Sequence, residues 1–215
     1  DEAEQLRSRC HGNEAIVTAV KETEKKVKAP KLYDLTTLQR EANRIYGMTA
    51  KQTLDTAQSL YEKKLITYPR TDSQYLTEDM EQTARNVVRQ IYEKYQLTGP
   101  FDQPEQPDVK KVMNNSKVTD HHAIIPTMEL ASSHLDELKS WEEKILFLIA
   151  VHTVMAMSKD HIYQETEIEV ECQGEIFKAK GRTVLQDGWK LFENCFKNKD
   201  RMAIVDPDQE MKERM

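Results

Sequence analysis

The chain has 215 residues, of which 38% are hydrophobic and 32% are charged, a balance that predicts a globular chain with a core and excludes an acidic disordered tail. Its longest apolar run, residues 145–157, has 13 residues and contains a histidine and a threonine. A bilayer span needs about 20 apolar residues, so we expect no membrane segment. The formal net charge of −6 argues at first against a nucleic-acid partner, because phosphates attract Lys and Arg.

The chain begins with Asp1 rather than a methionine, and its first residues are polar. We therefore expect no signal peptide and interpret the chain as a piece of a longer cytoplasmic protein. Three separated cysteines, Cys10, Cys172 and Cys195, form no Cys-x-x-Cys pair. This argues against a zinc ribbon and against a disulfide framework, and it favours reduced thiols. No glycine belongs to a G-x-x-x-x-G-K pattern, which excludes a P-loop.

Residues 15–27 alternate and are rich in Val, Ile and Thr, which is typical of a strand. From residue 35 the spacing becomes helical, and Gly47 stands where a helix ends. Thr49 and Gln52 match a capping box and begin a second helix that extends to about residue 63. The side chains expected to face inward from it are Leu54, Ala57, Leu60 and Tyr61. Two helices joined by a short turn predict a helix-turn-helix, with residues 65–68 as a following strand, or wing.

Thr77 is expected to cap a third helix that extends to about residue 95. Residues 98–117 contain three prolines and predict a long loop. Ser140 and Glu143 predict the cap of a fourth helix over residues 141–158, which is apolar on nearly all sides and therefore buried. After residue 160 the alternation returns, with a turn at residues 173–174 before a return strand.

This order predicts an α+β fold that is mostly helical. A helical domain, residues 31–159, is inserted into an antiparallel β domain that is formed by residues 1–30 and 160–215. We expect the acidic stretch that contains Asp206, Asp208 and Glu210 to be a polar turn in the returning β domain. Three carboxylates could hold Mg²⁺, but Met211 follows them and no fold remains to carry such a site.

Tyr68 and Arg70 are two residues apart, so on an extended strand they share a face, about 7 Å apart. Pro69 between them lacks an N–H and places this segment at an edge. A phenol with a pKa near 10 is a poor nucleophile, but a neighbouring guanidinium favours the phenolate and binds phosphate oxygens. The pair therefore predicts a site that forms a phosphotyrosine ester. The alternative is a surface pair without a role.

A second cluster contains Asp120, His121 and His122. Adjacent histidines point in different directions and no third ligand is suitably spaced, so we expect no metal site. One histidine is either structural or binds a phosphate or shuttles a proton, with Asp120 orienting it.

Together, residues 35–47, 49–62, 65–73 and 120–127 resemble the active-site domain of type IA DNA topoisomerases, most closely the bacterial topoisomerase III branch. The resemblance covers roughly residues 12–190. It implies that Tyr68 is the nucleophile that becomes joined to the 5′ phosphate of one strand. It also implies that Arg70 positions that phosphate and that His121 contacts it. His122 takes the place of a glutamate in the topoisomerase I branch.

The same resemblance implies a winged-helix-like (CAP-like) domain inserted into a β domain that forms part of an arch, the family's domains III and II. It implies strand breakage, passage and rejoining without ATP. The family binds Mg²⁺ in an N-terminal Toprim domain, which residues 1–30 are too few to contain. We therefore expect no cofactor in this chain and Mg²⁺ in the full-length enzyme. The expected partners are single-stranded DNA and the Toprim and gate domains of the same chain, in a monomer without membrane contact. The chain alone is expected to be inactive in relaxation.

Single-stranded DNA binding requires cations along the backbone. The expected DNA contacts are Arg40, Arg44, Lys51, Lys63, Lys64, Thr71, Asp72 and His122. Each basic residue has the alternative of being an ordinary solvated helix residue. Residues 31–70 carry seven basic against four acidic side chains, and residues 109–127 carry three against one, so the motif regions are positive within an acidic chain.

Two other functions stay open on the sequence. One is a winged-helix module without chemistry, which binds duplex DNA with sequence preference and is indifferent to Tyr68. The other is a purely structural arch segment, which tolerates loss of Arg70 and His121.

Overall fold

The computed structural model describes residues 1–97 and 107–193, which form two compact units. The β unit contains residues 1–28 and 160–188, and the helical unit contains residues 29–159 and continues from residue 189. Residues 189–193 thus group with the helices, whereas the sequence assigned them to the returning β domain. The backbone N–H of Trp189 donates to the carbonyl of Lys159 at 2.9 Å, which ties this segment to the helical unit.

The β unit consists of α1 (Glu2–Cys10) and three strands, β1 (Ile16–Val27), β2 (His161–Cys172) and β3 (Glu175–Gln186). The strands form one antiparallel sheet, as predicted, and their order in it is β1-β2-β3. Helix α1 was not predicted. The Asp1 side chain caps it, and none of its residues is buried, so it has no apolar stripe that would reveal it in the sequence.

The two faces of the sheet differ in chemistry. By register, one face carries the apolar side chains Val17, Val20, Ile168, Val170 and Phe177. The opposite face carries three cross-strand ion pairs, which are Glu165–Arg182, Glu167–Lys180 and Glu169–Lys178. The predicted turn between β2 and β3 has positive φ angles of 52° at Gln173 and 80° at Gly174, which suits a tight hairpin.

The helical unit contains α2 (Leu35–Tyr46), α3 (Ala50–Glu62), α4 (Glu81–Tyr95) and α5 (Ser140–Ala156), which confirms the four predicted helices. Helix α2 ends at Gly47, whose φ of 69° places it in the left-handed region, and the predicted capping box of Thr49 and Gln52 begins α3. Helix α5 is buried nearly all round and contacts α2, α3 and α4, so it forms the centre of the core. Short 3₁₀ turns occupy Glu78–Met80, Val109–Val112, Asn115–Lys117, Met128–Leu130, Leu135–Glu137 and Gly188–Glu193.

Two predicted caps are wrong. Thr77 precedes the turn before α4 but makes no capping bond, and Asn115 Oδ1 instead accepts the N–H of Glu78 at 2.8 Å. At α5 the capping carboxylate is Glu142, which accepts the N–H of residue 139 at 2.9 Å, rather than Glu143 with Ser140. In the first case a distant segment supplies the capping group, and in the second the local cap Glu142 is also held by Ser59 and Lys63.

The strand that was predicted as a wing after α3 is not formed. Residues 65–68 form no strand, and only an isolated antiparallel bridge pairs Ile66 with Pro126. Pro69 and Pro126 lack the N–H groups that a longer ladder needs. Of the predicted loop, residues 98–106 lie outside the described residues, and the remainder contains two 3₁₀ turns.

Candidate active site

Backbone hydrogen bonds bring the two sequence motifs together. The N–H of Thr67 donates to the carbonyl of Ile125 at 3.0 Å, and the N–H of Thr127 donates to the carbonyl of Leu65 at 3.0 Å. Further along, the N–H of Ala123 donates to the carbonyl of Tyr75 at 2.9 Å. The segment that carries Tyr68 therefore lies beside the segment that carries the histidines, although about 50 residues separate them in the chain.

Two threonine hydroxyls reinforce this pairing. Thr67 Oγ1 donates to the carbonyl of Ala123 at 3.0 Å and accepts the N–H of Ile125 at 3.0 Å. Thr71 Oγ1 donates to the carbonyl of His121 at 2.9 Å and accepts the N–H of Ser73 at 3.1 Å. Thr71 is buried, so its hydroxyl fixes the backbone of His121 from within the protein.

The end of α3 directs the chain toward Tyr68. The N–H of Lys64 donates to the carbonyl of Tyr61 at 2.8 Å, and the N–H of Leu65 donates to the carbonyl of Leu60 at 2.9 Å. These two bonds form a Schellman motif, in which the residue after the cap adopts left-handed angles. Lys64 fills that position with a φ of 62°, where glycine is the usual residue.

Three rings cluster at the predicted nucleophile. The ring centroid of Tyr68 lies 4.4 Å from that of His121, with an angle of 47° between the planes. Tyr61 contacts Tyr68 edge-on at 5.2 Å and 74°. Tyr61 was predicted to face inward, which is wrong because its side chain is 39% exposed at the Tyr68 surface. It follows the fully buried Leu60 by one residue, which is 100° around the helix, and periodicity alone does not show that shift.

The polar groups of this cluster are open to a ligand. Tyr68 is half-buried, whereas Arg70 and His121 are exposed. Within residues 1–97 and 107–193, neither the Tyr68 hydroxyl nor the Arg70 guanidinium has a hydrogen-bond or ion-pair partner. Asp120, which was expected to orient the histidine, makes no hydrogen bond to His121 in the same part of the chain. The arrangement presents a phenol, a cation and an imidazole to solvent, which suits an anionic ligand.

The remaining residues expected near the site differ in whether their side chains have hydrogen-bond partners. The Nδ1 of His122 donates to the carbonyl of Ala123 at 2.9 Å, so one ring nitrogen is engaged within the protein. Asp72 is exposed and has no partner in the described part of the chain.

Two of the five basic residues expected to contact DNA are held by carboxylates. Arg44 Nε lies 3.1 Å from both carboxylate oxygens of Glu41, and Arg44 Nη2 also contacts that carboxylate. Lys63 Nζ lies 2.6 Å from Oε2 of Glu142, and Ser59 Oγ donates to the other carboxylate oxygen at 2.6 Å.

Glu142 is an unusual carboxylate because it is only 3% exposed. Burial alone raises the pKa of such a group, but hydrogen bonds from Lys63, Ser59 and the backbone N–H of Lys139 outweigh burial and hold the pKa of Glu142 below its ordinary value. Lys63 is therefore part of a structural ion pair at the α3–α5 contact.

The other three expected DNA-binding cations remain available. Arg40, Lys51 and Lys64 are exposed, and their side chains have no partner among the residues that the structure describes. A phosphate backbone can reach these three groups without breaking an existing ion pair.

No metal centre is formed by the described residues, where no group of three His, Cys, Asp or Glu side chains is placed to hold an ion. These residues therefore do not fit a Mg²⁺ site, and no chemical step is derived through one. Asp206, Asp208 and Glu210 lie outside the described residues. Across the same described ranges, no helix has both the length and the apolar character that a membrane span requires.

Comparison with known proteins agrees with the resemblance found in the sequence. The chain is 40% identical over 213 residues to a DNA topoisomerase 3 of Bacillus subtilis, which covers 98% of this chain and 28% of that relative. It is also 40% identical over 194 residues to a DNA topoisomerase 3 of Bacillus licheniformis, covering 86% of this chain and 26% of the relative. The chain thus spans between a quarter and a third of the length of these relatives.

A solved structure shows the same similarity in three dimensions. Full-length topoisomerase I from Thermotoga maritima matches with a TM-score of 0.62 and 27% sequence identity, over 87% of this chain and 31% of that chain. The family model described as DNA topoisomerase matches residues 1–213. The chain therefore belongs to the DNA topoisomerase family, which confirms the predicted relationship to type IA enzymes of the topoisomerase III branch.

Proposed function

We propose that this chain is the tyrosine-bearing part of a topoisomerase III-like enzyme that breaks and rejoins one DNA strand through a 5′-phosphotyrosine intermediate. The observation that carries the proposal is the cluster of Tyr68 and His121, with Arg70 two residues further on, each open to an anion. A phenol, an imidazole and a guanidinium are the groups that attack a phosphodiester and stabilise its charge.

The proposed reaction exchanges one phosphodiester for another. The Tyr68 oxygen bonds to the phosphorus while the bond from phosphorus to the 3′ oxygen breaks. The phenol gives up its proton, and the leaving 3′ oxygen gains one. Rejoining reverses each step, so the bond energy is conserved and ATP is not needed. Arg70 binds the non-bridging oxygens, and His121 contacts the same phosphate beside the Tyr68 ring.

We further propose that residues 29–159, together with residues 189–193, form the tyrosine domain, with a winged-helix-like arrangement of α2 and α3, and that residues 1–28 and 160–188 form the β domain. Arg40, Lys51 and Lys64 supply cations for a DNA strand, and Asp72 and His122 lie near its path. The Toprim and gate domains, together with the Mg²⁺ that the family resemblance implies, belong to the remainder of a monomeric cytoplasmic enzyme.

The first experiment tests covalent chemistry in the full-length enzyme. Incubation with a labelled single-stranded oligonucleotide, followed by denaturing electrophoresis, should show a protein–DNA adduct that Tyr68→Phe abolishes. Tyr163→Phe is a matched control because Tyr163 lies in the β unit and its ring contacts the guanidinium of Arg182, a contact that phenylalanine retains. An undiminished adduct in Tyr68→Phe would refute the assignment.

The second experiment separates the proposal from a DNA-binding module without chemistry. The 215-residue chain should bind single-stranded DNA without strong sequence preference and should not relax supercoiled plasmid. Tight, sequence-selective binding to duplex DNA that ignores Tyr68→Phe would favour the regulator instead. Efficient relaxation by the chain alone would contradict the expectation that other domains are required.

A further inference from the structure

A second basic and aromatic site lies in the helical unit. A cavity of about 920 Å³ is formed by residues along α2, the segment before it, Gln74, α5 and the segment that contains Trp189 and Glu193. Neither Tyr68, Arg70 nor His121 lines it. Its volume lies in the range typical of sites for nucleotide-sized ligands.

The inner wall of the cavity is aromatic and uncharged. His152 stacks on Tyr33 with a centroid distance of 3.7 Å and an angle of 12°. The Nε2–H of His152 donates to the carbonyl of Lys31 at 2.7 Å, because a carbonyl only accepts. Burial lowers the pKa of His152 to about 4, so this ring is neutral at physiological pH. The wall is thus held in one arrangement and adds no charge.

The rim of the cavity is basic. Arg40 and Arg44 lie four residues apart on α2 and both line the cavity, so they project from one face of the helix. Arg44 is held by Glu41, whereas Arg40 has no partner in the described part of the chain. Lys31 also lines the cavity, and its ammonium lies 5.4 Å from the ring centroid of Tyr75. The described lining therefore carries three cations against the carboxylates of Glu41 and Glu193.

Trp189 also lines the cavity. It is half-buried, and the ammonium of Lys190 lies 5.8 Å from its ring centroid. An indole and an unpaired guanidinium in the lining of one cavity are the groups by which single-stranded nucleic acids are bound, because bases stack on the ring and phosphates contact the cation. The carboxylates of an acidic peptide would pair with the cations but would not stack on the indole. The lining therefore favours a nucleotide over a peptide carboxylate.

We propose that this cavity is a secondary subsite for single-stranded DNA, in which a base stacks on Trp189 and the adjoining phosphate is bound by Arg40. The proposal rests on the proposed function, because it takes DNA as the ligand. It adds a binding position that is built from residues other than the Tyr68 cluster, so the two can fail independently.

The experiment uses the tryptophan itself as the probe. The chain contains two tryptophans, Trp141 and Trp189, so Trp141→Phe leaves Trp189 as the single emitter. In this background, titration with a twelve-residue oligothymidylate should quench the emission saturably. Arg40→Ala should weaken the apparent Kd at least fivefold, and Arg40→Lys should restore part of the affinity. Arg89→Ala is the matched control, since Arg89 is an exposed arginine on α4 that does not line the cavity.

Each outcome decides the proposal. Saturable quenching that depends on Arg40 and persists in Tyr68→Phe supports it. Equal quenching by polyaspartate, with the same dependence on Arg40, overturns it in favour of an acidic peptide. Binding detected by fluorescence anisotropy of labelled oligothymidylate without quenching also overturns it, while the proposed function stands. A full-length enzyme that forms no Tyr68 adduct while the quenching persists refutes the catalytic proposal alone.

Discussion

Lys63 has two alternative roles, a structural one and DNA binding, and the structure predicts the structural role. Its ammonium bonds Glu142, which is nearly fully buried and also accepts from Ser59 and from the N–H of residue 139. Lys63→Met keeps most of the aliphatic packing and removes the charge. The carboxylate then stays buried with two neutral donors and no cation.

The magnitude follows from the exposure of the two partners. Removal of one partner from a fully buried ion pair costs about 3–5 kcal/mol. The Lys63 side chain is 39% exposed, so solvent screens part of the interaction. We therefore expect Lys63→Met to lower the free energy of unfolding by about 1–2 kcal/mol. For a chain of this size, such a change lowers the Tm by roughly 2–8 °C. Lys51→Met on the same helix is the control and should change stability by less than about 0.5 kcal/mol.

Urea denaturation of Lys63→Met, Glu142→Gln and the double variant gives the coupling energy of the pair. The pKa of Glu142 is lowered in the folded state, so its contribution is present above the unfolded pKa of about 4.3 and is lost as the pH falls through the folded pKa. The coupling should therefore be clear at pH 7 and should disappear in acid. A coupling near zero at pH 7, or a Lys63→Met chain as stable as the parent, would refute this reasoning.

Three further predictions follow from the described contacts. Lys64→Gly should stabilise the chain by about 1 kcal/mol in urea denaturation, because Lys64 occupies a left-handed position that glycine adopts without strain; an unchanged or lower midpoint would contradict this. Thr71→Val should lower the free energy of unfolding by about 1–2 kcal/mol and reduce adduct formation in the full-length enzyme, because it removes the hydroxyl that holds the His121 backbone. Thr71→Ser keeps this hydroxyl and should preserve both stability and adduct formation. Diamide, which takes two protons and two electrons from a thiol pair, should link Cys10 to Cys172, because each thiol lies within 3.8 Å of the other residue's carbonyl oxygen; peptide mapping without such a crosslink would exclude the pairing.

The helices were predictable because the residues that start and end each helix lie within a few positions of one another in the sequence. The capping box of Thr49 and Gln52 and the glycine at residue 47 each fix a helix end through neighbouring atoms, and both appear in the structure as predicted. The predicted Thr77 cap failed because the N–H of Glu78 has a distant partner instead. Asn115 reaches Glu78 across 37 residues, and no local rule detects such a contact.

The candidate site shows the same division between local and distant information. Tyr68 and Arg70 were identified from their spacing and from the family resemblance, and the hydrogen bonds that align them with His121 cross about 50 residues. Tyr61 was missed as a member of the cluster because helical periodicity places it beside the core stripe. Its orientation toward Tyr68 follows from the Schellman turn after α3, which only the folded chain shows.

The net charge of the chain is a poor guide to its anionic partners for a physical reason. The glutamates of β2 at residues 165, 167 and 169 each pair with a cation of β3, and Glu41 and Glu142 hold Arg44 and Lys63. These acids neutralise cations that a polyanion would otherwise bind. Four cations that keep no partner in the described residues, Arg40, Lys51, Lys64 and Arg70, belong to the helical unit that contains the tyrosine. A phosphate near Tyr68 therefore experiences mainly the nearest charges, such as Arg70 two residues away, rather than the sum over the chain, since solvent and salt screen charges beyond about 10 Å.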